Sequence, residues 1–278
     1  MKVVKIFGGL GNQMFQYAFG KLISADAYDI SWFEESKNEN VTPRQYELDV
    51  FNCTPTILTK EQHKKIIQNN KILKIFGIKT GLHKIKEQPA NVYNQNYLKQ
   101  NNGFFVGYWQ CADYYDSIRK QLLQEFTLKT EPNNKNKKIF DLINSTNSVS
   151  LHVRRGDYVK LQETHGLCNL DYYNQAIDFI DKKVKNPHFF IFSDDIKWVK
   201  KNLKTEHPCT FIDFNHDKDS VWDIFLMKHC KHNIIANSSF SWWGAWLNEN
   251  PNKIVIAPKK WWADGTQIDI VPNKWKRI

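Results

Sequence analysis

Two adjacent arginines, Arg154 and Arg155, sit in the run Ser150-Leu-His-Val-Arg-Arg-Gly-Asp-Tyr158. Planar guanidinium forks grip phosphate oxygens with paired hydrogen bonds. The residues before them, Val149, Leu151 and Val153, alternate as in a buried strand, and Gly156-Asp157 marks a turn. In open α/β sheets ligands lie beyond the carboxyl ends of strands. A phosphate-bearing donor held by Arg154 and Arg155 is one reading. A surface salt bridge with Asp157 as partner is the other.

Two further stretches carry polar groups in revealing places. Asn237-Ser-Ser-Phe-Ser-Trp-Trp-Gly244 follows an apolar run and opens a helical pattern. Small hydroxyls beside free N–H groups at a helix N-terminus suit a phosphate, although an N-cap before a Trp-rich core helix gives the same pattern. Asp223 lies within the apolar run Val221-Trp-Asp-Ile-Phe-Leu226. A buried carboxylate needs donors, and guanine offers two on one edge; a solvated helix face is the alternative. Near the N-terminus, Gly8-Gly-Leu-Gly-Asn-Gln13 joins a strand at 2–7 to a helix reaching about Ala25. It is neither a Walker loop nor a full G-x-G-x-x-G fingerprint, and an unliganded turn explains it as well.

Metal signals are weak. Asp217-Lys-Asp219 has the spacing of a metal-binding acidic pair and Ser193-Asp-Asp195 adds carboxylates, but Asp in turns after strands caps helices by default. Among nine histidines the best spacing is His229-x-x-His232. No Ser/His/Asp nucleophile pattern appears.

The elements that must position these residues alternate. After residue 146 the pattern reads strand 149–153, helix 171–183, strand 189–192, helix 196–203, strand 210–213, helix 220–230 capped by Asp219 or Ser220, strand 233–236, helix 240–248 and strand 254–257. Such alternation implies a parallel, doubly wound sheet. In the first half, 43–48 reads as an edge segment, 60–67 as a basic helix, 104–109 as a strand and 113–126 as a helix. The polar stretch Thr130–Lys138 is the best linker, which gives domains at 1–135 and 136–278.

Composition narrows the class. The 278 residues suffice for one large or two modest domains, with 41% hydrophobic and 14% aromatic content. A net charge of +10 favours anionic partners: nucleotides, nucleic acid or an anionic membrane face. A nucleic-acid-binding module rests on that charge and the aromatics alone, without a recognisable RNA-binding signature. Five widely spaced cysteines with no Cys-x-x-Cys suit a reducing compartment. The N-terminus lacks an apolar signal region, and no stretch approaches ~18 consecutive apolar residues, so neither export nor a membrane span is expected.

Taken together, Gly8-Gly-Leu-Gly-Asn-Gln-Met-Phe-Gln-Tyr17, His152-Val-Arg-Arg-Gly-Asp-Tyr158, Asn237-Ser-Ser-Phe-Ser-Trp-Trp-Gly-Ala-Trp-Leu247 and Val255-Ile-Ala-Pro-Lys-Lys-Trp-Trp262 resemble the bacterial α-1,2-fucosyltransferases of glycosyltransferase family 11. The resemblance covers nearly the whole chain. It implies an α/β, GT-B-like fold with two facing Rossmann-type domains, the last helix packing back on the first. It implies GDP-fucose as donor, a galactose-terminated oligosaccharide as acceptor, and inverting transfer to the galactose 2-hydroxyl without metal or other cofactor. An α-1,6 linkage, as in related fucosyltransferases, is the alternative.

By that resemblance Arg154 contacts the phosphate and the departing oxygen, with His152 and Arg155 alongside. Asp223 reads guanine, and Ser238, Ser239 and Phe240 hold the phosphate and ribose side. Gly11 and Asn12 reach the reaction centre. Asp157 joins Arg154 and Asn12 as a catalytic candidate, although Asp157, Glu163, His165 or no residue at all fits the base. No metal ligand and no nucleic-acid partner is expected. The expected location is the cytoplasm, where the positive charge allows peripheral contact with the inner membrane.

Overall fold

The computed structural model describes residues 1–35, 44–66, 81–159 and 166–278. The chain divides into two compact units. The first takes Met1–Lys129 with Ile268–Ile270, and the second takes Thr130–Gln267 with Val271–Ile278. Each is α/β, and the described strands of each sheet pair in parallel; for the second unit this is what the alternation of elements implies.

Among its described residues the first unit has four strands: β1 (Lys2–Lys5), β2 (Ala27–Asp29), β3 (Lys84–Lys86) and β4 (Gly103–Val106), in the order β2-β1-β4-β3. Helix α1 (Leu10–Leu22) follows β1. It starts at once because Gly8 takes φ +80, a conformation that L side chains rarely adopt. Two glutamines that the pattern left unassigned bind this junction. Buried Gln16 accepts from Phe7 N–H and donates to the Gly107 carbonyl. Buried Gln13 ties the Gly8 and Gln45 carbonyls and the Glu47 N–H together.

The expected helix at 113–126 is broken into two 3₁₀ turns, Ala112–Tyr114 and Asp116–Ile118, before α2 (Arg119–Glu125). The buried Tyr115 hydroxyl donates to main-chain carbonyls of Phe15 and Trp109, which fixes the backbone there against a continuous helix. Residues 44–47 have no regular structure and Leu48–Val50 form a 3₁₀ turn, so the described part of the 43–48 edge segment is not a strand. Helix α3 (Lys60–Ile66) matches the basic helix over its described residues; position 67 lies outside them.

The second unit opens with α4 (Asn134–Ser145), so the polar stretch 130–138 is helical from Asn134 onward. Asn133 caps it by accepting from Asn136 N–H, which explains how so polar a sequence starts a helix. The strands are β5 (Asn147–Val153), β6 (Pro187–Ser193), β7 (Cys209–Ile212), β8 (His232–Ile234), β9 (Val255–Ala257) and β10 (Lys276–Arg277). Their order is β10-β9-β8-β5-β6-β7. The chain builds outward from β5 through β6 to β7, then returns to add β8, β9 and β10 on the other side. This is a doubly wound sheet with its reversal between β5 and β8. The chain ends in a strand beside β9, not in a helix.

In-register partners of a parallel pair point to the same face. Val149, Leu151 and Val153 pair with Phe189, Ile191 and Ser193, and this side packs on α5 (Leu170–Asp181). Ser148, Ser150 and His152 share the other face with Phe190 and Phe192. That side packs against Ile143, Leu226 and Met227. The sheet thus carries a covered apolar face and a second face with a buried polar column.

Candidate active site

At the switch point of the second sheet, Arg154 and Arg155 leave the end of β5. Both are held by the carboxylates that end β6, residues 194 and 195. Asp194 Oδ2 is 2.8 Å from Arg154 Nη1, and Asp194 Oδ1 accepts from Arg155 N–H at 2.8 Å. Asp195 Oδ2 lies 3.5 Å from Arg155 Nε, an ion-pair distance without hydrogen-bond geometry. The Arg155 guanidinium stacks on Trp198 at 3.7 Å, and that of Arg154 lies 5.3 Å from the Tyr158 ring centre. Among the described residues the arginines are thus partnered by Asp194 and Asp195. The Asp157 side chain, and all of Glu163 and His165, lie outside the described residues.

Asp195 does cap α6 (Ile196–Asn202), accepting from Trp198 N–H at 3.2 Å. Asp194 instead gives both its oxygens to the arginines. Gly156 makes room for it: a Cβ there would stand 2.5 Å from Asp194 Oδ2.

His152 is buried on β5, its ring centre 5.9 Å from that of Phe240. Its Nδ1 has no hydrogen-bond partner among the described residues. Burial, and then the Arg154 charge, pushes its pKa down to about 3, so the ring is neutral at pH 7.

The segment 237–240 adjoins the arginines. Tyr158 Oη donates to the Asn237 carbonyl at 3.2 Å, so one tyrosine touches both motifs. Ser238 occupies the N-cap position of α7 (Ser239–Trp246), but its hydroxyl caps no N–H. Asn237 is structural: its amide donates to the Trp261 and Gly166 carbonyls. A cleft of about 460 Å³ opens beside it, lined by Cys168, Tyr172 and Trp262 among others.

Asp223 lies in the first turn of α8 (Val221–His229). No side chain caps that helix: Asp219 and Ser220 belong to a 3₁₀ turn, Asp217–Ser220, that runs into it. Asn215, three residues past β7, donates to Asp223 Oδ1 at 2.8 Å. Asn215 is itself locked in a reciprocal amide pair with Asn136 at 2.9 and 3.0 Å. Burial raises the Asp223 pKa to about 8 against the lowering effect of Asn215. In the absence of a ligand the carboxyl is mostly protonated at pH 7.

In the first unit, Gly11 is buried in the opening turn of α1, and Asn12 accepts from Gln110 Nε2 at 2.7 Å. A Cβ on Gly8 would lie 2.9 Å from the Asn12 amide nitrogen. Gln110 follows a turn beyond β4, and a chemistry read from residue types gave no signal for it.

The family model described as glycosyl transferase family 11 matches residues 1–278. The chain belongs to that family. An α-1,2-colitosyltransferase of Escherichia coli is 36% identical over 99% of this chain and 98% of its own length. The O-antigen biosynthesis glycosyltransferase WbnK of Escherichia coli is 32% identical over 96% and 97%. A galactoside 2-α-L-fucosyltransferase of Bos taurus is 30% identical over 51% of this chain and 41% of its own length. The chain is thus a glycosyltransferase.

His229 Nδ1 donates to the Phe225 carbonyl, and His232 Nδ1 accepts from Ile254 N–H. Among the described residues no three His, Cys, Asp or Glu side chains form a group able to hold a metal ion. Among them, too, no helix is long and apolar enough to cross a membrane.

Proposed function

We propose that this family 11 enzyme moves L-fucose from GDP-β-L-fucose to the 2-hydroxyl of a terminal galactose, with inversion and without a metal ion. The observation that carries the reading is the arginine pair at the switch point, positioned by residues 194 and 195. Asp223, the arginines and Ser238 follow strands β7, β5 and β8, which span three strand spacings, ~14 Å in all. That suits an extended nucleoside diphosphate, with its base at Asp223 and its diphosphate by Arg154, Arg155, Ser238 and Ser239. Phe240 and the neutral His152 line the side of the diphosphate.

In the reaction the galactose O2 forms a bond to the anomeric carbon as the bond to the diphosphate oxygen breaks. Negative charge grows on the departing GDP. Arg154 stabilises it where it develops, the electrostatic role otherwise filled by a divalent ion. The hydroxyl proton leaves to a base or to a phosphate oxygen; Asp157 is the nearest candidate in sequence.

A colitosyl donor is the second reading, favoured by the 36% identical relative. The test is incubation with GDP-fucose, GDP-colitose and UDP-sugars, each with lactose, followed by mass and linkage analysis. The expected product is an α-1,2-fucosyl lactose, formed equally in excess EDTA. An α-1,6 product would overturn the linkage, and loss in EDTA restored by Mn²⁺ would overturn the metal-free mechanism and return Asp217 and Asp219 to the site. Transfer from GDP-colitose alone would replace the donor.

A further inference from the structure

In the first unit, strands β1 and β4 are neighbours although they are distant in sequence, so this sheet too has a switch point. The segments leaving it are Phe7-Gly-Gly9 and Gly107-Tyr-Trp-Gln110. Three aromatic rings gather there. The Phe7 ring centre is 5.0 Å from that of Tyr108 and 6.4 Å from that of Trp32. Tyr108 is 38% exposed, the outermost ring of the three-ring group that the strand ends present.

The turn that presents Tyr108 is built at some expense in backbone strain. Trp109 holds φ +57, and a Cβ on Gly107 would meet the Glu87 Cβ at 2.5 Å. A non-glycine residue in the left-handed region persists only where its surroundings over-determine it, and such strain gathers at ligand sites. Here the surroundings are explicit. Buried Glu87 accepts from the N–H groups of Tyr108 at 2.7 Å, Trp109 at 3.0 Å and Asn91 at 2.9 Å. The Trp109 ring is buried and stacks on Phe19 at 3.9 Å. Core packing accounts for Trp109 but not for the outward-facing ring beside it.

We propose that Phe7, Trp32 and Tyr108 form an aromatic platform for the sugar ring of the acceptor, with the Asn12–Gln110 amide pair at its edge. This rests on the transferase reading above and adds to it the residues that hold the second substrate. The ring faces suit a neutral saccharide. The rings and amides carry no charge, and the Glu87 carboxylate is buried and occupied by main-chain N–H groups; the Arg44 guanidinium stands close by, 3.8–3.9 Å from where a Cβ on Gly9 would lie. Aromatic faces take the C–H face of a pyranose, while amides pair with its hydroxyls.

The experiment uses the full chain, with Tyr108→Ala, Tyr108→Phe and Trp32→Ala. Initial rates are measured against lactose and against GDP-fucose. Tyr108→Ala should raise the KM for lactose about tenfold, the scale of removing one aromatic face, and leave the KM for GDP-fucose within about twofold. Trp32→Ala should act in the same direction, and Tyr108→Phe should stay near wild type. An unchanged lactose KM in both alanine variants, or a rise in donor KM alone, removes the platform. If the wild type transfers from no GDP-sugar, the transferase reading fails by itself. The platform is then read directly, by saturation-transfer NMR of methyl β-galactoside with wild type and Tyr108→Ala. A transfer signal seen with wild type and abolished by the substitution supports the platform; a signal equal in the two proteins, or absent from both, overturns it.

Discussion

Arg154 and Asp194 are best understood together. An arginine at a strand end with 22% of its side chain exposed adds little net stability through its ion pair. Arg154→Lys should therefore move the melting temperature little. It replaces a planar fork by one ammonium, and turnover should fall roughly 10²–10³-fold, as for loss of a donor aimed at transition-state charge. Asp194→Asn keeps the shape of the brace and removes its charge. The freed guanidinium should cost roughly 10² in kcat, the scale of a misplaced catalytic group. Transfer rates alongside thermal melts would check both; a Lys variant with near-normal transfer removes Arg154 from the mechanism.

Two buried titrating groups give separate pH signatures, one in stability and one in ligand affinity. His152 has a folded pKa near 3, below its unfolded value of about 6.5. Between these values the unfolded chain binds the proton and the folded chain does not. The stability contributed is complete above about pH 6.5 and falls away as pH drops. Melting curves from about pH 7 down to about pH 4.5 should lose less on the acid side in His152→Gln than in wild type. Asp223 has its pKa raised to about 8. A guanine that donates two hydrogen bonds binds the ionised carboxylate, so GDP affinity should climb as pH rises and level off above about pH 8. Calorimetry on Asp223→Asn should show a flat profile, and a wild type equally flat would disconnect this residue from the base.

Among the elements, two glycines differ in kind. Gly156 lies in a turn where a methyl group would displace a carboxylate. Gly156→Ala should mimic the Asp194 variants in turnover while the fold stays intact. Gly20 lies inside α1, where a Cβ would stand 2.4 Å from the Tyr28 ring. That ring is buried, and its hydroxyl donates to the Tyr17 carbonyl, so it cannot swing away. Gly20→Ala should cost about 1–3 kcal/mol by overpacking, read as a lower midpoint in urea.

For the whole molecule, the net charge of +10 favours an anionic surface. Attraction between exposed charges is screened within about 8 Å at physiological salt. Binding to vesicles that contain phosphatidylglycerol should be measurable at low salt and should vanish by about 0.5 M NaCl, where screening is stronger still; retention at high salt would indicate an apolar anchor instead. Tight, salt-sensitive binding of RNA or DNA would revive the nucleic-acid reading. All five cysteines are free, and Cys53, Cys111 and Cys230 are buried with thiol pKa values pushed up, so no disulfide supports either unit.

The sequence alone determined the parallel α/β character of the second unit, because apolar runs of strand length alternate with helical periods from residue 147 onward. It also singled out the candidate stretches, since two arginines, a serine pair and a lone aspartate in apolar runs are costly unless used. Local pattern could not assign partners. Asp194 and Asp195 looked like helix caps; only the pairing of β5 with β6 sets residue 194 against Arg154, far along the chain. The polar start of α4 read as a linker because, although its Asn133 cap is local, the Asn136–Asn215 pair that buries Asn136 depends on a segment 79 residues away. Gln13 and Gln16 stood inside the glycine-turn motif with no role assigned to them, and Glu87 carried no sequence signal. Their role is to bind main-chain groups of separate segments, and a group that serves the backbone of a distant turn has no period to betray it. Strand order, and with it the two switch points, was decided by which edges pair, a choice made by tertiary packing after the local pattern is spent.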